Sequence, residues 1–88
     1  MECIGRFTIA ADHPSLPGHF PGQPIVPGVL LLSEVLACLP EGATLVSAKF
    51  TAPVLPGVEV VVQSRANGGR TAFACTANGQ TVLHGTTA

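Results

Sequence analysis

Few of the 88 residues can move a proton near neutral pH, and the most suggestive of them sit close together. His19 stands inside "HPSLPGHFPGQPIVPG", residues 13–28, where five prolines and three glycines surround it. Fourteen positions further on comes Ser33, then Glu34, and these two are the only polar side chains between Val29 and Leu39. An imidazole titrates close to physiological pH and can take a proton. A carboxylate can accept or return one, whereas a serine hydroxyl orients a water or a substrate hydroxyl but donates its own proton poorly. The set suits acid–base chemistry. The remaining histidines, His13 and His84, read as a turn residue and a strand residue. Cys3, Cys38 and Cys75 are odd in number, widely spaced and form no CxxC pair, which argues against a disulfide framework and a structural zinc site. They read as reduced thiols, two of them packed in the core.

These residues need a scaffold. The proline- and glycine-rich stretch is irregular, because prolines remove amide donors and glycines loosen the backbone every few positions. A helix is predicted from near Pro27 to about Leu39, where Pro40 stops it, and it is apolar nearly all round, so other structure should wrap it. "IGRFTIA" alternates as a half-buried strand does. "TLVSAKFTAPV", "VEVVVQSRA", "RTAFACTA" and "QTVLHGTT" are rich in β-branched residues and separated by "LPG", "NGG" and "NG", the last two being hairpin signals. The expected architecture is α+β: an antiparallel meander of four strands plus an N-terminal strand, forming a curved sheet of about five strands wrapped around one buried helix, which is the hot-dog fold.

Length and composition set further bounds. A chain of 88 residues holds one domain, 1–88, and 47% apolar residues with only 10% charged exceeds what so small a core hides easily. A second copy of the chain is the simplest cover, so a homodimer or higher homo-oligomer is expected. A net charge of −1 without a basic cluster gives no footprint for nucleic acid. The N-terminus has no basic segment followed by a long apolar one, and no apolar run approaches the roughly 18 residues of a membrane span, so a soluble, cytoplasmic protein is expected.

"HFPGQPIVPGVLLLSEVL" resembles the signature of the bacterial 3-hydroxyacyl-acyl-carrier-protein dehydratases of the hot-dog superfamily. "AKFTAPVLPG" resembles the strand that follows the helix in that family, and "ADHPSLPGHF" also fits, so the resemblance covers roughly residues 11–57. It implies elimination of water from a 3-hydroxyacyl thioester carried on acyl carrier protein, at a site shared by two subunits. His19 then acts on the proton next to the thioester carbonyl. Gly28 offers its amide to the thioester oxygen at the helix N-terminus, with Phe20, Pro27 and Val29 lining the substrate site. An amide already aimed at a developing enolate charge, reinforced by the helix dipole, is sound chemistry for this step. No metal or organic cofactor is implied. The sequence departs from the family at one place: the position of its acid, fourteen after the histidine, is Ser33, and Glu34 sits one residue on, about 100° further round the helix. A general acid contributes about 10²–10⁴-fold, roughly 3–5 kcal/mol of barrier. Two alternatives therefore stay open. One is a thioesterase, with water activated by His19 or Glu34; the other is a catalytically silent subunit that binds acyl carrier protein.

Overall fold

The computed structural model describes residues 1–10 and 25–88. Its elements are β1 (Glu2–Thr8), α1 (Gly28–Cys38), β2 (Leu45–Phe50), β3 (Glu59–Asn67), β4 (Arg70–Ala77) and β5 (Gln80–Thr87). The strands form one sheet in the order β1-β3-β4-β5-β2, with every neighbouring pair antiparallel.

Both short separators are two-residue hairpin turns. Gly68 and Gly69 have φ of 58° and 82°, and Asn78 and Gly79 have φ of 53° and 77°. Positive φ at both central positions matches the twist of the flanking strands, and glycine and asparagine reach it at low cost. These turns make β3, β4 and β5 a meander of three strands. The expected fourth member, β2, lies elsewhere: it pairs with β5 at the far edge, with Ala48 opposite Gly85 and Phe50 opposite Leu83. It also ends at Phe50, earlier than the β-rich run to Val54 suggested. The cause is the segment that follows. The Thr51 amide donates to the Val82 carbonyl at 2.9 Å, while the Gly57 amide donates to the Ile9 carbonyl at 2.8 Å. The chain thus crosses the end of the sheet from β5 to β1, and Pro53 and Pro56 within it cannot donate to a ladder.

Helix α1 lies on one face of the sheet. Gly5, Val62, Cys75 and Leu83 are in register across β1, β3, β4 and β5. Above this row and its neighbours Val60 and Phe73 sit Leu31 and Val35 of the helix and Leu39 just beyond it, and these side chains join one buried cluster. Cys38 packs against β1 so closely that a Cβ on Gly5 would stand 2.6 Å from its Sγ. The opposite side of the helix is open: Val29 is 78% exposed, and Ser33 and Ala37 are exposed too. The all-round apolar pattern led to an expectation of a helix wrapped on every side. One curved sheet covers one side of a helix only.

Candidate functional site

Among the described residues, the first turn of α1 lacks the usual N-terminal partners. Its cap is Pro27, with φ −58° and ψ 139°, no side chain caps it, and no acidic residue stands in the first turn. The amides of Leu30 and Leu31 both donate to the Pro27 carbonyl, at 3.0 and 3.2 Å. The amides of Gly28 and Val29 precede the first intrahelical bond and lie at the positive end of the helix dipole.

Beside this turn is an apolar cavity of about 480 Å³. Ile25 and Val26 wall it ahead of the helix, Gly28 and Leu31 from the helix, Phe50 from the end of β2, and Ala52, Pro53 and Val54 from the crossing segment. The walls are tied together by the Val26 amide, which donates to the Val54 carbonyl at 2.8 Å. Gly28 has a neighbour the sequence did not announce. Atoms Cζ, Cε1 and Cε2 of the Phe50 ring lie 3.0, 3.1 and 3.3 Å from the place a Cβ on Gly28 would take. A glycine that could have served ligand approach or helix packing thus seats an aromatic ring. Phe50 was legible only as one strand residue among several, since nothing local in "AKFTAPVLPG" says what its side chain meets.

Of the other expected site residues, Pro27 is the half-buried cap and Val29 is exposed one residue beyond Gly28. His19 and Phe20 lie outside the described residues. Ser33 is exposed, in a strip with Val29 and Ala37 four residues to either side, opposite the buried Leu31 and Val35. Glu34 is half-buried and turned toward β1, where its charge helps hold the Cys38 thiol above its ordinary pKa. Burial is the larger cause of that rise, and Cys3 adds a smaller push. Gly28 meets β2 and Cys38 meets β1, so Glu34 and the cavity lie on different flanks of the helix. A second cavity of about 480 Å³ lies at the helix C-terminus, beside Cys38, Leu39 and Arg65. Its thiol is kept protonated and is a poor nucleophile. Among the described residues no group of three or more His, Cys, Asp or Glu side chains could hold a metal ion, and no helix is long and apolar enough to cross a membrane.

The ApeI-like family, described as ApeI dehydratase, matches residues 1–86. The chain belongs to the ApeI-like dehydratase family. Its similar relatives include 3-hydroxyacyl-[acyl-carrier-protein] dehydratases FabZ. The one from Rhizobium rhizogenes is 34% identical over 86% of this chain and 59% of its own length. The one from Sinorhizobium medicae is 36% identical over 86% and 60%, and that from Pasteurella multocida 38% identical over 64% and 47%. The chain therefore spans about half to three-fifths of the length of these relatives. Among solved structures, the dehydratase heterocomplex ApeI:P from Xenorhabdus doucetiae superposes with a TM-score of 0.74 at 24% identity, covering 93% of this chain and 80% of that one. That likeness establishes the hot-dog fold for this ApeI-like chain: a five-stranded antiparallel sheet with one helix packed on its face.

Proposed function

We propose that the chain is a dehydratase subunit acting on a 3-hydroxyacyl thioester presented by acyl carrier protein. The supporting observation is the apolar cavity that ends on the helix N-terminus at Gly28, whose first turn holds no acidic residue. An apolar pocket suits an acyl chain, and the Gly28 amide suits the thioester oxygen. In the reaction His19 takes a proton from C2, charge builds on the thioester oxygen as the enolate forms, and the C3–O bond breaks. The hydroxyl leaves as water with the proton that His19 took up, and a trans-2-enoyl thioester remains. Ser33, on the outward side of α1, orients the departing hydroxyl or a water from across a subunit interface.

A hydration and dehydration assay on acyl-carrier-protein-bound C4 to C14 substrates tests this reading. Turnover in the wild type that is lost in His19→Ala, with an unchanged melting temperature, is the expected result. Hydrolysis of the thioester with no enoyl product would instead identify a thioesterase, and loss of folding in His19→Ala would make the histidine structural.

Ser33 at the acid's place favours a second reading, and the similar solved structure is described as a heterocomplex. In it, this chain supplies His19 and the α1 N-terminus while a non-identical partner's helix supplies the carboxylate. Mixing wild type with a His19→Ala/Ser33→Glu double variant separates the readings. Neither chain alone then holds both His19 and a carboxylate at position 33, but a mixed dimer holds both across one interface. Activity that appears only on mixing favours the two-chain reading; full activity of the wild type alone discards it.

A further inference from the structure

The apolar walls of the cavity are not equally fixed. Val26, Leu31 and Val54 are core residues, each no more than 3% exposed, and cannot move without disturbing the fold. Phe50 differs. It is the last residue of β2, an edge strand with β5 on one side and no described strand on the other. Opposite it in register is Leu83, which is fully buried in the core, so the Phe50 ring points to the helix side of the sheet. Yet 47% of it is exposed. Its ring tip rests on Gly28, and the residue lines the cavity. A half-exposed side chain at a strand end can change rotamer, whereas the close-packed Phe73 cannot.

We propose that Phe50 sets the length and bulk of the acyl chain the cavity admits, with Gly28 as the seat of its ring. This rests on the reading that the cavity takes an acyl thioester. A short chain fits with the ring seated against Gly28. A longer chain must swing the ring off Gly28, giving up its contact with the helix turn. The fixed walls set the width of the site, and the aromatic wall sets how far the chain extends.

Acyl-pantetheine analogues of C4 to C16 with an amide in place of the thioester are the probes, titrated calorimetrically against the protein in its native assembly. Affinity in the wild type should tighten about fourfold per added methylene up to a limiting length and then fall. Phe50→Leu should move that limit to longer chains, and Phe50→Ala should move it further, by roughly two or more methylenes. Both variants should keep the melting temperature close to wild type, and if Phe50→Ala does not fold, Phe50→Leu carries the comparison. A limiting length unchanged in folded variants that still bind overturns the role of Phe50 and leaves the acyl-thioester reading standing. No binding of any analogue to the wild type overturns both.

Discussion

At the scale of single residues, two thiols report how tightly the helix meets the sheet. The place of a Cβ on Gly5 is 2.6 Å from Cys38 Sγ, so Gly5→Ala should cost about 1–3 kcal/mol through overpacking. Because the obstacle is a side-chain tip and not backbone, Cys38→Ala in the same chain should recover most of the loss. A double-mutant cycle read from urea midpoints would show a coupling of at least about 1 kcal/mol, and additive losses would reject the contact as the cause. Cys75 makes a different prediction. Burial, with a smaller contribution from Cys38, pushes its pKa up from 9.0 to about 12. The folded state therefore favours the neutral thiol. That stability is fully present below pH 9 and is lost as pH rises from 9 toward 12. Cys75→Ala should flatten the alkaline limb of a stability–pH curve even though it lowers the plateau. At pH 8 in the native state the exposed Cys3 should alkylate first, and Cys75 only as fast as the protein opens.

At the scale of elements, α1 has two sides with opposite sensitivities. Leu31, 3% exposed, meets the sheet, and Leu31→Ala should cost about 2–5 kcal/mol in a denaturation experiment. Val29, 78% exposed, touches little of its own chain, so Val29→Ser should change the stability of the single chain by less than about 0.5 kcal/mol. If Val29→Ser instead lowers the melting temperature in a way that depends on protein concentration, the open strip of the helix is an intersubunit surface. The same geometry explains why one step along the helix matters. Ser33 shares the open strip with Val29 and Ala37, and Glu34 turns to the β1 flank with Cys38, so the two cannot substitute for each other without rotating the helix. The hairpin elements are the more robust, since each is fixed by local residues that accept positive φ.

At the scale of the whole molecule, the surplus of apolar surface has a location. Among the described residues six large apolar side chains are exposed, and three of them, Leu45, Val46 and Phe50, lie on edge strand β2. An edge strand with apolar side chains is a template for pairing with another chain. Light scattering at micromolar concentration should give at least twice 8.9 kDa, and Val46→Lys should reduce that mass. A monomer that keeps its fold and binds acyl analogues would reject the shared site. The sequence by itself determined the elements whose signals are local: Pro27 and Pro40 bracket the helix, Asn and Gly mark both hairpins, and "HFPG…PGV" pointed to the family that the comparison then established. The tertiary structure alone decided that β2 pairs with β5 at the edge instead of joining the meander, that the crossing segment cuts β2 at Phe50, and that the Phe50 ring sits on Gly28. Each of these depends on groups 22 to 48 residues apart in sequence, and neither propensity nor periodicity reaches that far. Periodicity likewise could not tell that one side of an all-apolar helix stays open, because it records which residues avoid water and not how many surfaces are present to cover them.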